Sequence, residues 1–540
     1  MPYAEVAVNT ATPLRQTFTY RVPQSLPVAP GHAVYVPFGS RTLQGVVMEL
    51  TEEPRFAEAR DIEALIEPRP LVSPERLALA SWMSGHYLAP LFDCVSLMLP
   101  PGFKRRPLTI LRPATGILET AGTLAELTEA QRAVLAVVAE RGEVTTDELQ
   151  RLLKAKGTPA TVTTLVRMGV LDRCYRLSRP SVKPKVVPHL KPLADEETLR
   201  RWACSRWEEG TPRAQSRALI VEALAEEGAV PLSRARRLGL TAAALRDLTA
   251  EGLATVEHVT VIRDPLAGRV YARKEAPPLT PDQAKATAAI WAALEGDGGS
   301  FLLHGVTGSG KTEVYLAALE RALALGKRAI VLVPEISLTP QTLRRFGERF
   351  PGRVAVMHSG LPLGEQFDMW HEVRDGKYDV VVGPRGALFA PQPDLGLVVI
   401  DEEHEWTYKQ HDASPRYHAR RVAEELCRRT GAVLVLGSAT PDVETHFRAR
   451  PGPSEGQGPL RLLELPQRLV RRDGALQPAP LPEVEVIDLR EELKAGNRSI
   501  FSRALMDAME EALSRGEQVI LFLNRRGTAS FLQCRDCGNV

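Results

Sequence analysis

The sequence predicts a multidomain α/β protein, and three observations carry that expectation. From Leu279 onward, near-continuous apolar strands (Phe301–Leu303, Ala329–Val333, Val380–Val382, Leu397–Ile400, Val433–Leu436) alternate with helical stretches, the pattern of a parallel sheet covered on both faces. Residues 1–105 consist instead of short β-branched and aromatic runs broken by Pro and Gly. Between them the chain repeats itself: Arg132-AVLAVVAERGEVT parallels Arg217-ALIVEALAEEGAVP, and Met168-GVLDRCYRLSRP parallels Glu251-GLATVEHVTVIRDP. The expected division is a small β-rich domain over 1–105, winged-helix-like repeats over 106–270, a parallel-sheet lobe over 271–450, and a linker with the start of a second α/β lobe over 451–540.

In the first domain, Val6–Val8, Thr17–Val22, Val34–Val36 and Leu43–Leu50 read as strands, and Ser73–Tyr87 has helical period. Each repeat reads as helix, short break, helix, helix and a strand pair. That is a winged-helix pattern, suited to DNA or protein contacts, and the alternative is a pair of helical spacers. Ser178–Leu193, rich in Pro and Lys, is expected to be an extended linker. Pro and Gly over 451–482 break the first lobe from the second, which starts at Val484 and includes a strand at Gln518–Leu523.

Composition narrows the class. A chain of 540 residues is too long for one core, and at ~100–200 residues per domain it holds three to five. Its 44% hydrophobic and 25% charged residues are those of a soluble globular protein. A net charge of +2 is no nucleic-acid footprint, so DNA contact must come from local patches. Of the six cysteines, Cys94, Cys174, Cys204 and Cys427 are scattered singly, which argues for a reducing cytosol over a disulfide framework. The start MPYAEVAVNT lacks a signal-peptide pattern. No apolar run approaches the ~18–20 residues that span a membrane, so no membrane partner is expected.

The chemistry concentrates in the parallel-sheet lobe. Gly305-Val306-Thr307-Gly308-Ser309-Gly310-Lys311-Thr312 fits G-x-x-x-x-G-K-[ST] between a strand and the helix Glu313–Leu325. Glycines let backbone N–H groups converge on phosphates, and the helix N-terminus adds positive charge. Lys311 is expected to reach the β- and γ-phosphates of ATP and Thr312 to hold Mg²⁺. Asp401 and Glu402 follow the apolar strand Leu397–Ile400, where open α/β sheets place ligand groups. Asp401 is expected at Mg²⁺ and Glu402 at the attacking water. Gln283 carries both donor and acceptor for an adenine edge, or is simply a helix-start glutamine. Gly437-Ser438-Ala439-Thr440, after Val433–Leu436, and His404 form a candidate relay between ATP and DNA; the bland reading of His404 is a core histidine.

Trp406, Tyr408, Lys409, Arg416 and Tyr417 interleave aromatics and cations just past Glu402. Bases stack on aromatic faces for ~1–3 kcal/mol each while cations take phosphates, so this segment is a candidate DNA sensor; the alternative is an ordinary packed corner. Cys534-Arg-Asp-Cys537 has C-x₂-C spacing, two of the four ligands a zinc site needs, or a buried thiol pair.

Taken together, GVTGSGKTEVY (Gly305–Tyr315), VPEISLTPQ (Val333–Gln341), GPRGALF (Gly383–Phe389), IDEEH (Ile400–His404), YKQ…RYHAR (Tyr408–Arg420), LGSATP (Leu436–Pro441) and QVILFLNRRG (Gln518–Gly527) resemble the PriA family of superfamily 2 helicases. The N-terminal Thr17-Phe18-Thr19-Tyr20, Val36-Pro37-Phe38-Gly39 and His86-Tyr87…Leu99-Pro100-Pro101 are similar to that family's domain for the 3′ end of a nascent leading strand.

The resemblance implies a RecA-like motor that binds stalled forks and single-stranded DNA, with Phe18 and Gly39 in the 3′-end pocket. It implies ATP-driven 3′-to-5′ unwinding and reloading of the replicative helicase. Primosome proteins, a helicase loader and single-strand-binding protein are the implied partners, in a bacterial, nucleoid-associated, cytoplasmic setting.

Three residues depart from the family pattern: Thr19 stands where Asp is common, Glu63 where Lys is common, and Pro384 where a small hydroxyl residue is usual. The family's further cysteines, needed for bound Zn²⁺, and its arginine finger, worth ~10³–10⁵ in rate, lie in segments absent from the 540 residues. The expectation for these residues alone is ATP binding with slow hydrolysis. The rival reading is a non-catalytic module that binds forks and recruits partners.

Overall fold

The computed structural model describes residues 2–10, 15–39, 41–54, 59–103, 107–114, 127–153, 158–177, 182, 184–269, 271–450, 460–472 and 475–522. It divides into two compact units, 1–478 and 479–540.

The first domain is a five-stranded antiparallel sheet ordered β2-β1-β4-β3-β5. Its strands are β1 (Tyr3–Val8), β2 (Phe18–Arg21), β3 (Ala33–Phe38), β4 (Arg41–Thr51) and β5 (Ala64–Leu65). Helices α1 (Pro74–His86) and α2 (Leu91–Ser96) follow. Pro74 at the first helical position starts α1, because its fixed φ suits the helix and its missing N–H loses nothing there. Leu79, Ala80 and Met83 of α1 share one buried cluster with Leu426 and Leu434 of the parallel-sheet lobe, so this domain packs directly on that lobe.

Two three-stranded units come next. The first runs β6 (Pro107–Pro113), α3 (Glu129–Arg141), β7 (Val144–Thr145), α4 (Thr146–Leu153), α5 (Thr158–Arg167), β8 (Leu171–Leu177). The second runs β9 (Lys185–Pro192), α6 (Glu196–Glu208), α7 (Pro212–Glu227), β10 (Val230–Pro231), α8 (Leu232–Arg237), α9 (Ala242–Ala250), β11 (Ala254–Val261). Both place the strand that precedes the helices in the centre, in the orders β7-β6-β8 and β10-β9-β11. This corrects two expectations. The strand pair is closed across each unit, by its first and last strands, and does not follow the helices as a local pair. Lys185–Pro192 is no linker: it pairs with β11 along eight residues, its Pro188 and Pro192 notwithstanding, because the pairing buries Leu190 in the unit's core.

The lobe is a seven-stranded sheet in which every pairing is parallel, ordered β14-β15-β13-β16-β17-β12-β18. Its elements are α10 (Pro281–Glu295), β12 (Gly299–Gly305), α11 (Lys311–Ala324), β13 (Arg328–Leu332), α12 (Pro340–Arg349), β14 (Val354–Val356), α13 (Leu363–Arg374), β15 (Val380–Gly383), β16 (Leu395–Ile400), α14 (Ala419–Thr430), β17 (Val433–Ser438), α15 (Val443–Ala449) and β18 (Arg461–Leu465). Side chains on alternate strand positions enter two separate cores, Leu302, Ile330 and Leu434 on one face and Phe301, Val331 and Val435 on the other.

The lobe does not stop at 450. β18 adds to its edge beside β12, because Leu465 has apolar surface to bury there. A hairpin, β19 (Arg468–Arg472) and β20 (Ala475–Ala479), follows.

In the second unit α16 (Leu489–Lys494) and α17 (Arg503–Ser514) form. The strand expected at Gln518–Leu523 does not form over its described residues, where Ile520 and Phe522 stay exposed. A strand is stable only with a neighbour to take its backbone hydrogen bonds, and no sheet forms among the described residues past 479. Among the described residues no helix is long and apolar enough to cross a membrane.

Candidate functional site

β17 lies between β12 and β16 in the sheet, so the three carboxyl ends that carry the phosphate loop, Gly437–Thr440 and Asp401–Glu402 are neighbours. A cavity of about 720 Å³ opens there, lined by Thr307, Gly308, Lys311, Thr312, Asp401 and Glu402 among others.

The loop is shaped to leave this space. Gly308 and Gly310 hold φ of 82° and 79°, the left-handed region glycine tolerates. Gly310 then caps α11, and any Cβ on it would strike Gln283 Nε2. Lys311 Nζ donates to the loop's own Gly305 carbonyl at 2.9 Å, and Ser309 Oγ is enclosed without a partner. The cradle, the lysine and the two carboxylates fit a nucleoside triphosphate, and Thr312 and Asp401 are the residues that would hold a divalent cation with it. Gln283 is buried with both ends of its amide used: Oε1 accepts from Thr280 N–H at 2.9 Å in a capping box, and Nε2 donates to Ser309 C=O at 3.0 Å. This is the helix-start arrangement, tied to the phosphate loop. Sequence alone also missed the hairpin over the loop, where Leu469 N–H donates to Gly308 C=O at 3.0 Å.

Asp401 is held twice. Tyr315 of α11 donates to its Oδ1 at 3.0 Å, and Tyr408 donates to its backbone carbonyl at 2.7 Å. Burial, then the adjacent Glu402 charge, raises the Asp401 pKa; a bound divalent cation would offset both effects. Burial, then Asp401, keeps the Tyr315 and Tyr408 hydroxyls protonated and therefore donors. Glu402 has φ of 47°, a strained conformation for a residue with a Cβ.

His404 is a bridge and not a core histidine. Its Nδ1 lies 3.7 Å from a Glu402 oxygen and 2.7 Å from Ser438 Oγ, and its Nε2 lies 3.5 Å from Thr440 Oγ1. Ser438 Oγ also accepts from Thr440 N–H at 3.0 Å. Ala439 stands half-buried between them, and Gly437 is where a Cβ would land on the Tyr315 hydroxyl. Beneath this row the fully buried Glu403, unremarked in the sequence, accepts from Arg420 Nη1 at 2.5 Å and from Asp442 N–H at 2.8 Å.

The aromatic segment divides. Trp406 is 70% exposed, and Arg416 is exposed. Lys409 donates to the Arg416 carbonyl and sits 5.6 Å over the Tyr87 ring. Tyr408 and Tyr417 are only 1% and 3% exposed, so they do not stack on bases as read from the sequence. Their rings fill the lobe's core, Tyr417 edge-on to Phe389 at 5.1 Å. Alternation of aromatic and charged residues cannot tell a stacking ring from a buried one.

In the first domain Phe18 packs edge-on to Phe38 at 5.0 Å, and Gly39 turns with φ of 60°. Thr19 is turned into the sheet, donating to the buried Glu5 at 2.5 Å, and Glu63 accepts from Thr42 at 3.2 Å. Arg60, which sequence reading passed over, donates to the Gly39 carbonyl at 2.7 Å and brings a cation to this corner. Cys534 and Cys537 lie outside the described residues, and no group of three metal-ligating side chains occurs among the described ones.

Residues 5–100 match the family model of the PriA 3′ DNA-binding domain, and residues 280–447 match that of the DEAD/DEAH box helicases. The whole chain is 37% identical to the replication restart protein PriA of Bacillus subtilis and 34% identical to that of Synechocystis, covering 64% and 63% of those proteins. Over 48% of the chain it is 42% identical to the replication restart protein PriA of Treponema pallidum, covering 36% of it. The chain thus spans less than two thirds of the length of these relatives. A match to the 3′ DNA-binding domain followed by a match to the helicase domain, in one chain whose full length aligns with part of the replication restart proteins, makes it similar to the PriA family in sequence and in domain order.

Proposed function

We propose that this chain is the fork-binding and ATP-hydrolysing part of a 3′-to-5′ DNA helicase that recognises stalled forks and initiates primosome assembly. The supporting observation is the contact row at the sheet's carboxyl end, where His404 bridges Glu402 and Ser438 while Tyr408 joins Asp401 to the segment carrying Trp406.

When ATP enters, Lys311 exchanges the Gly305 carbonyl for the β- and γ-phosphates. Thr312 and Asp401 would hold Mg²⁺, which would supply positive charge to offset that of the phosphates. Glu402 accepts a hydrogen bond from the attacking water and orients it. Gln283 keeps the loop in register and offers its remaining N–H to adenine. Ser438 and Thr440 pass the state of Glu402, through His404, toward the DNA side.

On that side Trp406 stacks on a base, and Lys409 and Arg416 meet phosphates. Phe18, Gly39 and Arg60 form the corner for a 3′ end, with Arg60 supplying the positive charge that Glu63 does not. Primosome proteins, a helicase loader and single-strand-binding protein are the partners this reading assigns, in the cytoplasm. Cys534 and Cys537 would supply half of a zinc site.

The test is steady-state ATP hydrolysis by the chain, with and without forked DNA, against Lys311→Ala. DNA-stimulated turnover abolished by Lys311→Ala supports the motor reading. Fork binding with no turnover would replace it with a non-catalytic recruiting module.

A further inference from the structure

A second cavity, of about 670 Å³, lies where the first domain packs on the helicase lobe, remote from the nucleotide loop in sequence and walled by different residues. Its wall includes the N-terminus of α1 at Ser73, the ends of α13 and α14 at Arg374 and Arg429, and Gln392 of the β15–β16 connection.

Arg76 in that wall is anomalous in three ways. It is 6% exposed. Its Nη1 is enclosed with no hydrogen-bond partner, and the adjacent Glu75 is the charge that favours its ionised form. It sits in the first turn of α1, where the helix dipole opposes a cation and favours an anion.

Ser73, the N-cap, makes no side-chain capping bond, so that end of the helix is unsealed. Arg429 Nε is likewise enclosed and unpartnered, although its Nη2 meets Glu425 at 2.6 Å. Arg374 Nη1 meets Glu67 at 3.6 Å without a hydrogen bond, while its Nε donates to Asp375 at 3.1 Å. Three arginines face two acids in this wall, Glu75 and Asp394, and Asp394 is taken by Arg328 at 3.1 Å. Burial lowers the Arg76 pKa to about 10, which still leaves it charged at neutral pH. Gln392 spends its Nε2 on the Tyr378 and Asp379 carbonyls and leaves Oε1 enclosed without a donor.

A buried guanidinium without a partner is costly, and a bidentate oxyanion is what its planar fork fits. We propose that this cavity is a second ligand site, which takes the phosphoryl group of a nucleotide-sized phosphorylated molecule on Arg76, with Arg429 and the α1 N-terminus completing the anion cradle. The volume exceeds a bare phosphate and falls in the range of small-molecule sites, about 300–1,000 Å³. A ligand here would bridge the DNA-binding domain and the motor lobe and stiffen their junction. This goes beyond the ATP reading above and does not depend on it.

The experiment uses the chain carrying Lys311→Ala, which removes the phosphate contact of the nucleotide loop. Inorganic pyrophosphate, AMP and a short single-stranded oligonucleotide are titrated separately by calorimetry and by thermal melting. Saturable pyrophosphate and AMP binding that raises the melting temperature is expected. Adding Arg76→Met should weaken it by about tenfold or more, the worth of a charge-assisted hydrogen bond pair, and Arg76→Lys should restore part of it. Without ligand, Arg76→Met should melt no lower than its parent, since it removes an unpaired buried charge. If Arg76→Met is poorly folded, Arg76→Lys alone decides, by weaker binding at an unchanged melting temperature. An Arg76-dependent response only to the oligonucleotide would give the phosphate to DNA and overturn the small-molecule assignment. No response to any probe at millimolar concentration, or a response that Arg76→Met and Arg76→Lys leave unchanged, would overturn the site.

Discussion

The Tyr315 hydroxyl lies against both Asp401 and Gly437: it donates to the Asp401 carboxylate at 3.0 Å and occupies the place a Cβ on Gly437 would take. One side chain from the phosphate-loop helix therefore positions the acidic strand end and requires glycine on the strand between them. Gly437→Ala should displace Tyr315, destabilise the chain by about 1–3 kcal/mol as overpacking does, and slow hydrolysis. Tyr315→Phe should slow hydrolysis while its melting temperature stays close to wild type. Melting curves and turnover on both variants check this, and a Gly437→Ala chain with unchanged stability would sink it.

Ionising Asp401 works against its surroundings, since burial first and then Glu402 raise its pKa. An acid whose folded pKa lies above its unfolded one binds protons more tightly when folded, so its ionisation costs stability as pH rises through the unfolded and then the folded value. Asp401→Asn should leave the ligand-free chain as stable or more stable at pH 7, and should lose Mg²⁺-dependent nucleotide affinity. Thermal melting with and without Mg-ATP reads both effects in one experiment.

Trp406 and Tyr408 should behave as opposites although they stand two residues apart. Trp406→Ala, at an exposed ring, should leave melting unchanged and weaken single-stranded DNA binding by ~1–3 kcal/mol. Tyr408→Ala, at a ring inside the core, should cost about 3–5 kcal/mol of stability, as other buried aromatics do. Fluorescence anisotropy and urea unfolding on the pair separate a DNA contact from a scaffold.

His418 caps α14, accepting from Arg420 N–H at 3.3 Å, and its pKa is lowered to about 4, by burial first and then by Arg420. The folded chain keeps it neutral while the unfolded chain takes up a proton near pH 6.5. Unfolding therefore gains a proton between those values, and stability should fall as pH drops from about 6.5 to about 4. His418→Asn, which can still cap the helix, should flatten that part of the pH dependence of the urea midpoint. An unaltered slope would show that His418 does not carry it.

The lobe was legible because its signals are local. Apolar strands buried on both faces, and a glycine loop between strand and helix, follow from periodicity and backbone sterics that operate within a few residues. The same holds for Lys311 and Thr312 at the start of α11 and for Asp401 and Glu402 just past β16, whose places are set by their own elements. The second-lobe strand at Gln518–Leu523 was misjudged for the complementary reason: its apolar run is local, but a strand also needs a neighbour.

What the tertiary structure alone decided are relations between distant residues. It assigned β18 to the first lobe and made Lys185–Pro192 a sheet strand. It sent Tyr408 and Tyr417 inward and left Trp406 outside. It paired Glu403 with Arg420, brought Arg60 to Gly39, and enclosed Arg76 at the domain junction. Burial and charge pairing depend on what the rest of the chain brings alongside a residue, and neither composition nor spacing encodes that neighbour. The sequence by itself determined which chemistry is present and where in each element it sits; the packing determined which of those groups meet.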